Sequence, residues 1–372
     1  MRIERLELRN FRNYESAQLG FEAPLYLILG ENGQGKTNLI EAISLLSTGR
    51  SFRTGRDKEM IRFGEEALIL RSKVESGGRS FKIEIKIGKQ LKKAININSL
   101  PIGKLTDLLG IFHVVVFAPE DLRLVKDGPK ERRGFMDREI SQLRPLYYGD
   151  ISSFRKLLMQ RNNLLRGVKI DRALLDVYDE QLAFLSERIM RIRAEFIEKI
   201  APIAAKNHRR ISGRREELLL RYEPDLAKRA EPPCRQEILE LYRSLREEDI
   251  RKKMTGRGIH KDDLRLEING RDIRAYGSQG QKRSAAISLK LSEIELVHEE
   301  RGEYPVVLLD DIFSELDTGR QRMLIENLKY VQTFVTATDI DDEILPFFEE
   351  ARMIWIENAK VKELPGGQDG NK

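Results

Sequence analysis

Two motifs that must work together, set at opposite ends of the chain, constrain this sequence most. The apolar run Leu25–Leu29 leads into Gly30-Glu31-Asn32-Gly33-Gln34-Gly35-Lys36-Thr37, and helical spacing follows through Leu39, Ile40, Ile43 and Leu46. This is G-x-x-x-x-G-K-[ST] between a strand and a helix, the setting that gives the pattern its meaning. Glycines let backbone N–H groups turn inward onto phosphate oxygens, and the helix that follows adds its positive end. Lys36 then reaches the β- and γ-phosphates as a point charge, and the Thr37 hydroxyl is a ligand for Mg²⁺.

The second motif is Pro305-Val306-Val307-Leu308-Leu309-Asp310-Asp311, four apolar residues ending in two carboxylates. Beside a phosphate loop, Asp310 suits a water-mediated hold on Mg²⁺, and Asp311 suits orienting or deprotonating the attacking water. Lys36 and Asp310 stand 274 positions apart, so most of the chain lies between two parts of one site. Compact GTPases and simple P-loop kinases place them much closer, and no Asn-Lys-x-Asp guanine motif occurs. The expected architecture is α/β, a nucleotide-binding head split across the chain by a large insertion.

The intervening sequence supports that division. Arg2–Arg9 reads as a strand, and 67–74, 81–87 and 93–98 alternate around a Gly77-Gly78 turn, predicting an antiparallel sheet. Val114–Phe117 reads as a buried strand closed by Pro119. From about 130 to 256 the pattern is helical. Leu175, Tyr178, Leu182, Leu185, Ile189, Ile192 and Phe196 recur at 3,4 spacing until Pro202, which predicts a packed helical pair rather than a long coiled coil. Leu264–Ile268 and Asp272-Ile273 flank Asn269-Gly270, a hairpin signal. Val306–Leu309, Thr333–Thr336 and Met353–Ile356 read as further strands, and Gly366–Lys372 as a disordered tail.

Length and composition close off other classes. At roughly 150 residues per domain, 372 residues make two or three domains. The single cysteine, Cys234, excludes a disulfide framework, and four scattered histidines disfavour a histidine metal centre. No apolar run nears the ~20 residues of a membrane span, and MRIERLELRN has no apolar signal core, so the expectation is a cytoplasmic protein. Net charge is +6, but residues 151–260 hold 25 basic and 17 acidic side chains. Asn207-His208-Arg209-Arg210, Arg214-Arg215 and Arg251-Lys252-Lys253 fall there. Such a stretch either attracts a phosphate backbone or forms ordinary solvated helix faces.

Further motifs carry a resemblance. Tyr276-Gly277-Ser278-Gln279-Gly280-Gln281-Lys282-Arg283 precedes a helix and resembles the signature of the ABC ATPases, and Ser314-Glu315-Leu316-Asp317 resembles their D-loop. Leu8-Arg9-Asn10-Phe11-Arg12-Asn13-Tyr14, Pro119-Glu120-Asp121-Leu122, Gly128-Pro129-x-x-Arg132-Arg133 and His260-Lys261-Asp262-Asp263 narrow this. Over about residues 1–360 the chain resembles the RecF family, bacterial recombination mediators related to the SMC chromosome proteins. The resemblance implies an ABC-type, SMC-like ATPase head formed by 1–130 and 261–360, a helical lobe over 131–260, and a flexible tail over 361–372. It implies binding of ATP, Mg²⁺ and DNA, and a weak, DNA-stimulated ATPase. It also implies an ATP-dependent homodimer in which Ser278, Gly280 and Gln281 cap the nucleotide on the partner's Gly30–Thr37 loop. RecO and RecR are the implied partners in loading RecA at gaps, with roles in replication and the SOS response.

Departures from the ABC pattern accompany the match. Asp311 stands where glutamate is usual, which suits slow, switch-like hydrolysis. Pro119-Glu120-Asp121 occupies the Q-loop position, and Thr336-Ala337-Thr338-Asp339 lacks the switch histidine. His260 either contacts nucleotide or caps a turn, and Arg12 is either a phosphate contact or a surface arginine. Two other classes share the features: a transporter's ATP-binding subunit, and an architectural DNA-binding protein with a silent nucleotide site. The helical insertion and missing histidine oppose the first; turnover lost in Lys36→Ala would exclude the second.

Overall fold

The computed structural model describes residues 1–227, 232–339 and 344–363. They divide into two compact units, Met1–Asp121 with Lys290–Lys372, and Leu122–Leu289. The boundaries read at 131 and 260 both lie inside the second unit.

The first unit holds two six-stranded sheets. In one, Arg352–Glu357, Leu25–Leu29, Thr333–Ala337, Val306–Asp310 and Val114–Phe117 run parallel in that spatial order, and Lys360–Glu363 pairs antiparallel at the edge. Val306–Asp310 and Thr333–Ala337 are buried at every position, as strands covered on both faces are. The register sets Asp310 opposite Thr336 and Thr336 opposite Ile28, so chemistry from distant parts of the sequence gathers at one sheet end. The other sheet is antiparallel, ordered Tyr14–Gly20, Arg2–Phe11, Ala67–Ser76, Arg79–Gly88, Ala94–Ile97 and Leu100–Pro101. Leu6, Leu8, Leu70, Val74, Ile83 and Ile85 point into a core shared with helix Lys36–Thr48, while Arg71 bridges Glu7 (3.0 Å) and Glu84 (2.7 Å) on the outer face. Gly77 and Gly78 turn with φ 56° and 68°, as a two-residue hairpin requires.

The second unit carries helices Pro129–Leu143, Pro145–Leu165, Arg172–Ile211 and Arg235–Lys252. The helical expectation over 130–256 needs one correction: Leu218–Glu223 is a strand, paired with Asp263–Ile268. Leu218 and Leu220 face inward, but Leu219 fills an outward position, so the stretch reads as unbroken leucine instead of alternating. Nor does the long helix stop at Pro202; it runs through it for 40 residues. An interior proline costs about 3 kcal/mol, which burial of the apolar Ile203 and Ala204 on the continuing turns helps to offset. This helix packs against Pro145–Leu165 and Arg235–Lys252, as the 3,4 spacing predicts. Fully buried Arg161 pairs with Asp179 and Asp249, each at 2.7 Å, and Arg193 with Asp137 (2.8 Å) and Asp262 (2.6 Å). Asn269 and Gly270 turn the expected hairpin with φ 50° and 74°. Residues 361–363 of the tail expected over 361–372 belong to the strand Lys360–Glu363; the rest of it, including Gly366–Lys372, lies outside the described residues.

Candidate nucleotide site

The loop Gly30–Thr37 leaves the end of central strand Leu25–Leu29, and helix Lys36–Thr48 begins directly behind it. Gly30 has φ 150°, and a Cβ there would lie 2.3 Å from the Ile356 carbonyl oxygen, so only glycine fits. Gly35 caps the helix with φ 122° and no side-chain hydrogen bond, a helix start suited to receive an anion. The loop is clamped from behind: Asn13 Nδ2 donates to Gln34 O (3.1 Å), Tyr14 OH to Gly35 O (3.0 Å), and Asn358 N to Gln34 Oε1 (2.6 Å). Asn32 Oδ1 accepts from Thr338 Oγ1 at 3.2 Å.

Lys36 Nζ donates to the carbonyls of Gly30 (2.5 Å) and Glu31 (3.0 Å), which holds the ammonium in the loop's mouth. Burial pulls its pKa below the usual lysine range, while Asp311 and Asp310 pull it back up. Thr37 Oγ1 donates to Asp310 Oδ1 at 2.9 Å across 273 residues of sequence, and Thr336 Oγ1 donates to the same oxygen at 2.9 Å. Burial pushes the Asp310 carboxyl up from its ordinary range; those two hydrogen bonds and the charge of Arg53 oppose it. A hydroxyl and a carboxylate side by side form an all-oxygen donor pair, which fits Mg²⁺ completed by phosphate and water. Asp311 has φ 51°, a conformation uncommon outside glycine, with its N–H bonded to Thr336 Oγ1 (3.0 Å). It lines a cavity of ≈ 290 Å³ with Ser314, Gln321, Thr338 and Asp339.

The structure therefore brings together Gly30–Thr37, Asp310 and Asp311, all in the first unit. Ser278, Gly280 and Gln281 belong to the second unit, at the start of helix Gln279–Arg301. There Ser278 N donates to Gln281 Oε1 (2.8 Å) and Gln281 N to Ser278 Oγ (3.2 Å), a capping box. In the D-loop, Ser314 Oγ donates to Asp311 O (2.8 Å), and Asp317 caps helix Thr318–Glu326.

Both open residues acquire definite surroundings. Arg12 grips buried Glu41 with two bonds (2.9 and 2.6 Å) and donates to Glu59 O (2.7 Å), so in this structure it braces the helix behind the loop. His260 sits in the short turn Ile259–Lys261, tilted against Phe154. Sequence reasoning missed Thr336 as a second hydroxyl on Asp310, because a threonine inside an apolar strand gives no signal. It also missed the Asn13 and Tyr14 clamp, although both residues lie in a motif singled out for the resemblance.

A phosphate loop on a central strand of a parallel sheet, with Asp310 from the strand next but one at its threonine, is the arrangement of a P-loop ATPase head. Residues 2–351 match the family model described as RecF/RecN/SMC N terminal domain. The chain is 45% identical over 370 residues to the DNA replication and repair protein RecF of Clostridioides difficile (strain 630), covering 99% of this chain and 100% of that protein. It is 45% identical to the same-named protein of Alkaliphilus oremlandii (strain OhILAs), covering 91% and 93%. A solved structure described as the recombination mediator protein RecF-ATP in the RecFOR pathway matches at TM-score 0.90 and 35% identity, covering 98% of this chain and 97% of that one. The chain belongs to the RecF family. Among the described residues no helix is long and apolar enough to cross a membrane.

Proposed function

We propose that this chain is an ATP-dependent DNA-binding recombination mediator, acting in the cytoplasm in gap repair, fork maintenance and SOS induction. The observation that carries the nucleotide half is the Thr37–Asp310 contact at 2.9 Å, which joins both chain ends at a glycine loop built to hold phosphate. Lys36 binds the β- and γ-phosphates; Thr37 and Asp310 hold Mg²⁺; Asp311 positions the attacking water. ATP draws two copies together, with Ser278, Gly280 and Gln281 of each capping the γ-phosphate on the other. Slow, DNA-stimulated hydrolysis then releases them. DNA lies against the basic face of residues 151–260, gripped through phosphates with little sequence preference. RecR and RecO are the partners through which RecA is loaded.

Sedimentation of the full chain tests this, with and without ATP, Mg²⁺ and a gapped duplex. A monomer that becomes a dimer only with ATP, and then carries the duplex, is the expected result. A chain that stays monomeric with saturating ATP would overturn the composite site.

A further inference from the structure

We infer that the turn 209–215 is where a phosphate backbone acts on the signature motif, with Glu216 and His208 as positioning residues that hold Gln281. The inference rests on the proposed role of Ser278–Gln281 as the nucleotide cap.

Gln281 Oε1 faces back to Ser278 N, so its Nε2 must point away, and it donates to Glu216 Oε1 at 2.9 Å. Glu216 Oε2 lies 3.1 Å from Nε2 of His208, which is fully buried. On the other side of the ring, Nδ1 lies 3.2 Å from Ser288 Oγ. The Ser288 hydroxyl spends its proton on Ser284 O at 2.7 Å, so it accepts from Nδ1–H. With a proton on Nε2 as well, His208 donates to the Glu216 carboxylate and the series closes on itself: Ser288 and Gln281 share one helix, and Glu216 with His208 staple its first turn to its third.

The basic group read at Asn207–Arg210 changes accordingly. Asn207 and His208 are buried, and His208 belongs to this staple instead of an exposed patch. The seven residues between the two staple residues are Arg209 to Arg215. Four of them are exposed arginines: Arg209 and Arg210 in the last turn of helix Arg172–Ile211, and Arg214 and Arg215 on or just after the tight turn with φ 62° at both Gly213 and Arg214. Arg209 bonds exposed Glu217 at 2.9 Å, a pair worth little against a polyanion. A phosphate backbone settling on these arginines loads a turn whose two ends are fixed to the signature helix. It thereby tightens the bond from Glu216 to Gln281 and orders the cap.

Hydrogen exchange of the full chain without ATP tests this at residues 278–282, with and without a short DNA duplex. In the parent, the duplex should slow exchange there several-fold. Glu216→Ala removes the acceptor for Gln281, and one lost hydrogen bond should speed exchange roughly tenfold. The variant keeps all four arginines and binds the duplex, but exchange at 278–282 should no longer respond to it. Glu216→Gln still offers Gln281 an acceptor and gives a neutral His208 a donor, so it should restore the response. A Glu216→Ala protein that binds duplex and responds like the parent overturns the coupling. So does a parent that binds duplex with no change at 278–282. If the parent binds no duplex, the DNA reading of the lobe is what fails. The duplex-free comparison then decides the positioning role: equal exchange in parent and Glu216→Ala overturns it.

Discussion

The phosphate loop and the signature turn, proposed to meet on one nucleotide only across two copies of the chain, are held by different means. The loop is held by its main chain: Gly30 packs against the Ile356 carbonyl, the Ala359 N–H and the Asn13 and Tyr14 side chains bond its carbonyls, and strand register lies behind it. The signature turn is held by side chains in series, Gln281 to Glu216 to His208 to Ser288. A main-chain cradle is preorganised and costs little to use. A series of side-chain bonds, each worth about 1 kcal/mol net, can be loosened or tightened by what touches it. The contrast suits one half that receives ATP and another that responds to circumstances.

The largest expected effect probes the chemistry the loop serves. Asp311→Asn should lower hydrolysis by roughly 10²–10⁴-fold with ATP binding intact, since it removes a base without disturbing the cradle. It should also accumulate the ATP-bound dimer. Steady-state turnover with parallel sedimentation measures both; parent-like turnover would remove Asp311 from the water-positioning role.

Next, Lys36→Ala should weaken ATP binding by about 100-fold, the loss of two charge-assisted hydrogen bonds. Ser278→Arg should leave monomer affinity near the parent's and abolish ATP-dependent dimerisation. Nucleotide titration beside sedimentation separates the two halves. A Ser278→Arg chain that dimerises normally would break the distinction.

A smaller effect concerns the lobe. Reversing the charges of Arg209, Arg210, Arg214 and Arg215 together should weaken DNA binding and flatten its salt dependence by roughly 3–4 in log–log slope. An unchanged slope would move the footprint away from this turn.

The smallest effect is on stability. Burial raises the Asp310 carboxyl, so the folded chain favours its protonated form. The charged form then costs stability that grows as pH rises through the ordinary carboxylate range and levels off above the raised pKa. Asp310→Asn keeps an acceptor for Thr37 and Thr336 without the charge. Its melting temperature, measured without nucleotide or Mg²⁺, should exceed the parent's near pH 7, and the gap should shrink toward pH 4. A gap that widened in acid would reverse the sign assigned to this group.

Much of the site was readable because its parts are contiguous. Gly30–Thr37 and Val306–Asp311 are short local patterns, and each constrains backbone conformation on its own. Strands Leu25–Leu29 and Val114–Phe117 end where their apolar runs end. The errors fall where neighbours override local preference. Leu218–Glu223 is a strand because Asp263–Ile268 pairs with it, and the long helix crosses Pro202 because the following turns bury apolar side chains.

From sequence alone follow the α/β head split across the chain, the phosphate loop, the aspartate proposed to hold Mg²⁺ and the basic middle region. These depend on residue type and spacing over a few positions. Only the tertiary structure set Thr336 on Asp310, turned Arg12 inward to Glu41, and took His208 from the basic group to Glu216. Each is a contact between residues distant in sequence or on different elements. A side chain that can face solvent or a buried partner carries no mark of its choice until the partner is in place.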